Sequence, residues 1–315
     1  MKEKVVVIVG PTAVGKTKMG VALAKKLGGE IISGDSMQIY KGMDIGTAKV
    51  KPDEMEGVVH HLLDIKEPCE PFSVVEFQRL ARALITDISA RGRLPVIVGG
   101  TGLYIQAAIY DYQFSDAPSD EAYRRALKQL AAEQGAEVLH RQLEAVDPES
   151  AARIHPHNIR RVIRALEVYH CTGKPFSEWQ LGQQRRLLYE TAIIGLTAER
   201  NVLYRRINER VDEMIAEGLI EEVKSLYDRG LRDCQAVQAI GYKELYDYFD
   251  GRVSLDEAIE QLKQNSRRYA KRQLTWFRNQ MPVRWFDMTA PEPFAAKVEE
   301  IFRYIAGKLR LEANI

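Results

Sequence analysis

Residues 5–17 of the chain read VVVIVGPTAVGKT, a short apolar run that leads into a glycine-rich loop ending on Lys16 and Thr17. Residues 18–27 then place apolar side chains at helical spacing and end at Gly28. A strand, a G-x-x-x-x-G-K-T loop and a helix in this order are the context in which a Walker A motif cradles phosphates with backbone N–H groups. Lys16 adds a cation, and the Thr17 hydroxyl adds a ligand for Mg²⁺. The stretch therefore predicts a site for a di- or triphosphate.

Beyond this stretch, the first third of the chain alternates strand and helix patterns, which predicts a parallel sheet with helices on both faces. From Asp120 to about Gly173 every signal is helical, and a strand pattern returns at residues 191–196. The last long helix starts at a capping box formed by Ser254 and Glu257. The predicted fold is α/β, a P-loop NTPase-like parallel-sheet core flanked by helices, with an all-helical insertion domain. Its predicted segments are residues 1–114 for the first part of the core, 115–190 for the insertion and 191–315 for the completion of the core and the C-terminal helices.

The composition is that of an ordinary globular protein, with 45% hydrophobic and 28% charged residues among 315. The apolar run before the glycine-rich loop is too short for a signal peptide, and no later stretch approaches a membrane span. The cysteines Cys69, Cys171 and Cys234 are far apart and form no C-x-x-C pair. We therefore expect a cytoplasmic protein with unpaired thiols, no zinc site and no membrane association.

Three loops are expected at the carboxyl ends of the parallel strands, where ligands of such sheets gather. They are the Walker A loop, the segment 35–40 and the glycine-rich segment 99–104. Asp35 ends a strand pattern near the phosphate cradle, so it is a candidate general base or metal ligand; a turn or helix-capping aspartate is the alternative. Thr101 could donate or accept a hydrogen bond there, or it could belong to a plain glycine turn.

Two features narrow the class of protein. The strand pattern of residues 96–98 ends in glycines instead of the acidic residue with which P-loop motors and most nucleotide hydrolases bind Mg²⁺, which disfavours a motor. His60 and His61, near Asp64, suggest a metal cluster, but adjacent residues of an extended segment point to opposite faces. Structural roles are therefore the favoured interpretation of the two histidines.

Arginines supply two further candidate features. Arg210 lies one step from the apolar stripe of its predicted helix, so it could be partly buried and clamp a diphosphate; a solvated arginine is the alternative. The net charge of +1 argues against wholesale coating of nucleic acid, yet basic residues concentrate in residues 153–174 and 260–284. The second stretch interleaves cations with aromatic side chains, which suits RNA phosphates and bases. Each stretch alone could be a solvated helix face, but the two together favour an RNA-binding surface.

Eight segments, in order over most of the chain, resemble the tRNA dimethylallyltransferase family, the isopentenyl transferases that modify an adenosine beside the anticodon. These segments are GPTAVGKT (10–17), DSMQIY (35–40), DIGTAK (44–49), HHLLD (60–64), GGTGLY (99–104), RVIRALEV (161–168), AIGYKE (239–244) and RRYAKRQ (267–273). The extended zinc-finger tail of eukaryotic relatives is absent, so the chain looks like the bacterial type.

The resemblance implies transfer of the dimethylallyl group from dimethylallyl diphosphate to N6 of the adenosine next to the anticodon, with release of diphosphate. The general base of the family falls on Asp35 and its supporting hydroxyl on Thr101. Mg²⁺ bound at Thr17, together with Lys16 and Arg210, would neutralise the leaving diphosphate. The implied diphosphate or nucleotide site comprises Gly10, Thr12, Ala13, Val14, Gly15, Lys16, Thr17 and Arg210.

The implied partners are the tRNA anticodon stem-loop and dimethylallyl diphosphate, and the expected state is a monomer. The tRNA contacts of the family fall on Ser36, Met37, Gln38, Arg124, Ile159, Arg160, Arg161, Val162 and Ile163, and the basic face of the last long helix adds Arg267 and Lys271. Arg160 departs from the family, because many members carry glutamine at that position, so the contact there stays open.

Two other classes of function use part of the same features. A P-loop small-molecule kinase would use the phosphate cradle and Asp35, but it explains neither the basic insertion nor the aromatic and basic last helix. A non-enzymatic RNA-binding module would have no use for Lys16 and Thr17.

Overall fold

The computed structural model describes residues 2–114, 119–181, 186–290 and 293–311. The chain divides into two compact units. The first, called here the α/β unit, comprises Met1–Tyr110 and Leu187–Ile315, and the second, the helical unit, is Asp111–Arg186. The sequence patterns place the limits of the helical segment at residues 115 and 190 instead.

A single parallel sheet is the frame of the α/β unit. Its strands within the described ranges are β1 (Lys4–Val9), β2 (Gly29–Ser33), β3 (His60–His61), β4 (Leu94–Gly99), β5 (Glu190–Thr197) and β6 (Arg284–Asp287). Their spatial order is β3-β2-β4-β1-β5-β6, and every pair is parallel. β1 pairs with β4 on one side and with β5 on the other, so the strand before the P-loop is central. The predicted α/β class with a parallel-sheet core is confirmed.

Helices cover both faces of this sheet and build the helical unit. The first helices of the α/β unit are α1 (Lys16–Leu27), α2 (Val74–Ala90) and α3 (Gly102–Ile109). The helices of the helical unit are α4 (Glu121–Gln134), α5 (Ala136–Val146), α6 (Pro148–Arg153), α7 (Ile159–Thr172) and α8 (Phe176–Leu181). The last helices of the α/β unit are α9 (Arg200–Ala216), α10 (Leu219–Asp228), α11 (Tyr242–Phe249), α12 (Leu255–Gln280) and α13 (Phe294–Leu309). The predicted capping box of Ser254 and Glu257 starts α12. None of the helices described has both the length and the apolarity that crossing a membrane requires.

The alternation of side chains along β1 separates two hydrophobic cores. Val5, Val7 and Val9 belong to a core built with α2, α3, α10 and α11 on one face of the sheet. Val6 and Ile8 belong to a second core, with α1, α9 and α13 on the other face. Because each of these five residues is fully buried, β1 reads as a continuous apolar run instead of an alternating one.

The helical unit has a hydrophobic core of its own, formed mainly by α4, α5 and α7. Beside it lies Glu167, whose side chain is fully buried. The carboxylate binds Arg124 Nε at 2.7 Å and Arg164 Nη1 at 2.6 Å, and it accepts the backbone N–H of Asp120 at 2.8 Å. Burial opposes its ionisation, but these partners keep the pKa of Glu167 below its usual range. A buried charge is thus compensated within the unit.

The chain leaves the α/β unit for the helical unit and returns from it through adjacent segments. Leu188 donates its N–H to the carbonyl of Ile109 at 3.0 Å, and Asp111 donates to Arg186 at 2.8 Å. Tyr110 and Leu187 form an isolated antiparallel bridge between these bonds. The two crossings therefore run side by side as a short stem.

The cysteines depart from the expectation of unpaired thiols. Cys69 and Cys234 form a disulfide within the α/β unit, with their Cα atoms 4.8 Å apart, and Cys171 is free. The expectation is therefore wrong for Cys69 and Cys234. Because 165 positions separate these two residues along the sequence, no local spacing indicates that they lie close together.

Replacing Glu167 with glutamine should destabilise the helical unit, because two arginines would then face an uncharged amide at a buried position. Loss of one partner of a buried ion pair lowers the free energy of unfolding by about 3–5 kcal/mol. Because Arg124 and Arg164 are about a third exposed, we expect a smaller loss of about 2 kcal/mol. Thermal denaturation followed by circular dichroism measures the loss. Glu149→Gln, which removes only an exposed pair with Arg153, is the control and should change stability by less than about 0.5 kcal/mol. Equal midpoints for the two variants would contradict the assignment.

Candidate active site

The P-loop joins β1 to α1 and requires glycine at two points. A Cβ atom at Gly10 would lie 2.5 Å from the carbonyl oxygen of Leu196, and Gly15 has a φ of 97°. Gly15 is also the N-cap of α1 and brings no side-chain cap. The N–H groups of the first helical turn and the positive end of the helix dipole are therefore directed at any anion bound there.

Two cavities adjoin the P-loop within the described part of the α/β unit. The outer cavity, of about 530 Å³, lies between the start of α1, the segment 44–56 and α9. The inner cavity, of about 90 Å³, shares Lys16, Thr17 and Arg210 with the outer one. Its lining also includes the polar side chains of Thr12, Ser33, Asp35 and Gln38 and the apolar side chains of Ile31, Val50, Leu63 and Val98.

Lys16 is the cation of the loop. Its Nζ donates to the carbonyl oxygen of Pro11 at 2.6 Å, which holds the side chain over the P-loop. Burial and the nearby charge of Arg210 lower the pKa of Lys16 to about 7, against the opposing effect of Asp35. The ammonium group of Lys16 therefore loses its proton near pH 7, and an anion bound beside it would favour the charged form.

Arg210 reaches the same cavities from α9, where it directly precedes the buried Val211. Burial lowers its pKa, although nearby carboxylates, Glu213 first among them, oppose the shift. An arginine stays charged despite such a shift. The structure thus brings Arg210 together with Lys16 and Thr17, the grouping that a diphosphate clamp needs.

Asp35 lies two residues after the end of β2 and lines the inner cavity. Its Oδ1 accepts the N–H groups of Met37 at 2.8 Å and Gln38 at 3.4 Å, so it does cap a turn, as the alternative interpretation holds. Burial raises the pKa of Asp35 even though those N–H groups and Lys16 lower it. The same carboxylate therefore caps a turn and lies half-buried beside the P-loop cations, where it remains the candidate for a general base.

Thr101 lies at the N-terminus of α3 and faces the turn that Asp35 caps. Its Oγ1 accepts the N–H of Ser36 at 3.3 Å and donates to the Ser36 hydroxyl at 3.4 Å. The hydroxyls of Ser36 and Thr101 thus lie close to Asp35, the candidate general base. Thr101 is therefore hydrogen-bonded to the loop of Asp35 and is more than a residue of a glycine turn.

Gln273 of α12 is a site residue that the sequence analysis missed. Its Oε1 accepts the N–H of Thr12 at 2.9 Å, and its Nε2 donates to the carbonyl of Gly100 at 3.1 Å. The backbone N–H of Thr12 is therefore engaged by Gln273, so Thr12 contributes to the inner cavity by its side chain. A signal existed, because Ala270, Gln273 and Phe277 follow the buried spacing of α12 and a polar residue on that face needs a partner.

Tyr269, one turn before Gln273 on α12, also lines the inner cavity. Burial and the negative charge of Asp35 raise the pKa of Tyr269 to about 12. The hydroxyl therefore stays protonated and can donate. Sequence reasoning treated this aromatic residue only as part of a basic RNA-binding face.

Both histidines have hydrogen-bond partners within the protein, and His60 also lines the inner cavity. His60 Nδ1 lies 2.9 Å from the carbonyl of Val58, and His61 Nε2 lies 2.7 Å from Glu30 Oε2. Across the residues that the structure describes, no three His, Cys, Asp or Glu side chains converge on a metal position. A divalent cation here would need ligands from a bound phosphate.

The residues after Asp35 that the resemblance assigns to tRNA binding lie at the site but are partly engaged. Gln38 donates through Nε2 to the carbonyls of Thr47 at 3.2 Å and Ala48 at 3.3 Å, and its Oε1 accepts from the Ser33 hydroxyl. Met37 packs against the larger core. Ser36 is half-buried beside Thr101.

In the helical unit, the residues that the resemblance assigns to tRNA binding differ in exposure. Val162 is fully buried and Ile163 is 4% exposed, because both face the core of the unit, so a contact with RNA at these two positions would have to use backbone atoms. Ile159 packs against the same core, and Arg124 is held by Glu167. The exposed cations at the start of α7 are Arg160 and Arg161.

On α12 the two expected cations differ. Arg267 is half-buried and donates to Asn208 Oδ1 at 2.6 Å, so it joins α12 to α9. Lys271 is exposed, as are Arg268 and Arg272. The solvent-facing basic surface of α12 thus centres on residues 268–272.

A central parallel strand, a glycine-rich P-loop and a half-buried carboxylate at the same sheet edge define a protein of the P-loop α/β class. Residues 38–280 match the family described as IPP transferase. The chain belongs to this family of transferases, as its sequence segments predict.

Close relatives and solved structures extend over nearly the whole chain. The tRNA dimethylallyltransferase of Geobacillus thermodenitrificans is 93% identical over 315 residues, which is 100% of both chains, and that of Geobacillus kaustophilus is 89% identical over the same coverage. The tRNA isopentenylpyrophosphate transferase of Bacillus halodurans is 60% identical, with a TM-score of 0.75 over 98% of this chain and 97% of that one. A eukaryotic dimethylallyltransferase acting on tRNA is 31% identical, with a TM-score of 0.82 over 96% of this chain and 78% of that one.

Binding of inorganic diphosphate at pH 8 should be coupled to proton uptake by Lys16. With a pKa of about 7 before binding, Lys16 is largely neutral at pH 8, and a bound anion favours its charged form, so affinity should fall as the pH rises above 7. Calorimetry in two buffers of different ionisation enthalpy counts the protons. Lys16→Arg is the control, since its guanidinium stays charged throughout. Identical proton uptake by the two proteins would contradict the lowered pKa.

Proposed function

We propose that this enzyme transfers the dimethylallyl group of dimethylallyl diphosphate to N6 of the adenosine next to the anticodon of tRNA and releases diphosphate. One observation carries the proposal: a small cavity brings the P-loop cations and the half-buried carboxylate of Asp35 together with a group of aliphatic side chains. The family membership and the names of the relatives agree with this reaction.

The inner cavity matches an allylic diphosphate in polarity. Lys16, Thr17 and Arg210 supply the polar part, whereas Ile31, Val50, Leu63 and Val98 supply the apolar part. Ile31 precedes Ser33 by two residues on β2, so the apolar part reaches about 6–7 Å below the carboxyl edge of the sheet. A five-carbon prenyl tail buries there without leaving a polar group unpaired.

The leaving group is a diphosphate, so the P-loop here stabilises charge that develops as the C–O bond breaks. Lys16 and Arg210 face that charge from two sides, and the N-terminus of α1 adds its N–H groups. Mg²⁺ would be held by the Thr17 hydroxyl and by diphosphate oxygens and would supply further positive charge. That ligand set suits Mg²⁺, which keeps several waters and binds mainly through substrate phosphates.

Asp35 accepts a proton from the exocyclic amine as that amine attacks the allylic carbon. One N–C bond forms, one C–O bond breaks, and the proton passes to the Asp35 carboxylate while diphosphate leaves. The raised pKa of Asp35 strengthens it as a base. Because pairing and stacking hide N6, the adenosine must turn out of the anticodon loop to reach the carboxylate. The hydroxyls of Ser36 and Thr101, which bond to each other beside the turn of Asp35, would hold the extruded base.

The exposed cations bind the tRNA through its phosphates. In the helical unit these are Arg160 and Arg161, and on α12 they are Arg268, Lys271 and Arg272. Phosphate contacts of this kind make binding steeply dependent on salt and nearly independent of sequence. Recognition of the target base then falls to the inner site.

Replacing Asp35 with asparagine should abolish transfer while leaving the turn intact, because the amide oxygen can still accept from Met37 and Gln38. Loss of a general base costs about 10²–10⁴ in rate. Mass spectrometry of unmodified tRNA incubated with protein, Mg²⁺ and dimethylallyl diphosphate measures transfer. The exposed Asp53→Asn serves as the control.

In the same assay, an Asp35→Asn enzyme that transfers at the rate of the unmodified enzyme would remove Asp35 from the role of base. A wild-type enzyme that forms ADP from ATP with a small acceptor, and no prenylated tRNA, would establish the kinase instead.

Replacing Val50 with phenylalanine should raise KM for dimethylallyl diphosphate by about tenfold or more, because the added ring occupies the apolar part of the inner cavity. Inorganic diphosphate has no prenyl tail, so its affinity, measured by calorimetry, should stay within about twofold. Val50→Ala is the matched variant that removes volume instead of adding it. If Val50→Phe weakens both ligands equally, the tail does not bind in this cavity.

A further inference from the structure

We propose that Glu222 of α10 is a positioning residue of the donor site, because its carboxylate fixes the segment 44–48 beside the P-loop. This segment is called the wall segment below. The inference rests on the proposed function, since it concerns the cavity that would hold dimethylallyl diphosphate. Glu222 itself does not line either cavity among the described residues, so its effect passes through the backbone of the wall segment.

Four hydrogen bonds converge on this one carboxylate. Glu222 Oε2 accepts the N–H groups of Asp44 and Ile45, each at 2.8 Å. Glu222 Oε1 accepts the N–H of Gly46 at 3.0 Å and the hydroxyl of Tyr242 at 2.5 Å. Three successive backbone donors thus bind a single charged acceptor, which is stronger than bonding to a neutral acceptor.

The wall segment borders both cavities at the P-loop. Asp44, Ile45 and Ala48 line the outer cavity, and Thr47 and Ala48 line the inner one. The same two cavities are lined from the P-loop and α9 by Lys16, Thr17 and Arg210, as described above. A shift of the wall segment would therefore change the space and the water content around the diphosphate.

The wall segment needs external ties, because part of its backbone is unfavourable. Ala48 has a φ of 50°, in the left-handed region that residues with a Cβ rarely occupy. Gln38 holds the carbonyls of Thr47 and Ala48 from the side of Asp35. Glu222 holds the N–H groups at the other end of the segment, so the two side chains restrain opposite backbone groups.

Tyr242 of α11 completes the arrangement. Burial and the negative charge of Glu222 raise the pKa of the Tyr242 hydroxyl, so it stays protonated and donates to that carboxylate. The Tyr242 ring packs so closely on Gly46 that a Cβ atom there would lie 2.6 Å from it. The ring and the carboxylate therefore hold the wall segment by packing and by hydrogen bonds together.

The expected consequence of losing the carboxylate is a selective defect in donor binding. Asp35, Thr101 and the exposed cations of α12 do not touch the wall segment through any hydrogen bond described above, so the chemistry and tRNA affinity should persist. Glu222→Gln should raise KM for dimethylallyl diphosphate by about tenfold or more, since an amide keeps one acceptor oxygen and brings a donor against backbone donors. Turnover at saturating donor should stay within about twofold.

The test compares full-length Glu222→Gln with Glu221→Gln, an exposed neighbour on α10. Steady-state transfer gives KM for the donor and kcat, filter binding gives the Kd for tRNA, and thermal denaturation reports folding. Tyr242→Phe removes one donor and keeps the three backbone bonds, so a smaller rise in KM, about two- to fivefold, is expected. Because this milder variant keeps the fold, it decides the question if Glu222→Gln fails to fold.

The inference is overturned if Glu222→Gln and Tyr242→Phe keep the wild-type KM, or if kcat and the thermal midpoint fall while KM does not change. Titration with inorganic diphosphate, without tRNA, gives a reading that is independent of transfer. Weakened diphosphate binding in Glu222→Gln together with no transfer by the wild-type enzyme would refute the proposed function and retain the role of Glu222 at the anion site.

Discussion

Two cations and a carboxylate share a buried volume at the carboxyl end of β1, and their mutual interaction governs the site. Burial alone pushes Lys16 towards its neutral amine and Asp35 towards its protonated acid. The charge of Asp35 partly offsets the cost of charging Lys16, whereas the nearby charge of Arg210 adds to that cost. A diphosphate bound there would add negative charge, so its binding would be coupled to the ionisation of Lys16.

The remaining architecture brings these groups together from distant parts of the chain. β1 delivers the P-loop from the centre of the sheet, β2 delivers Asp35 and α9 delivers Arg210. α12 then joins two of the loops, because the Gln273 amide bonds to Thr12 on the P-loop and to Gly100 after β4. A single helix therefore sets the spacing between the P-loop and the loop that carries Thr101.

Local patterns in the sequence predict much of this arrangement. Three predicted features depend only on residues within a few positions of each other. They are the strand, loop and helix around Lys16, the capping box at Ser254, and the position of Arg210 beside the apolar stripe at Val211. The missed features depend on contacts between distant segments. The pairing of Cys69 with Cys234 and the bonds of Gln273 cannot be read from any local period. The inward side chains of Val162 and Ile163 follow from the helical phase of α7, which leaves only backbone atoms at these positions for a contact with RNA.

The two adjacent crossings at Tyr110 and Leu187 bear on how such an enzyme can diversify. The excursion from Asp111 to Arg186 begins and ends at neighbouring, hydrogen-bonded positions, and it carries its own hydrophobic core and its own compensated charge. Exchange of this excursion for another helical module would leave every sheet strand in register. Selection can thus rework the helical unit while the sheet that carries the P-loop stays as it is.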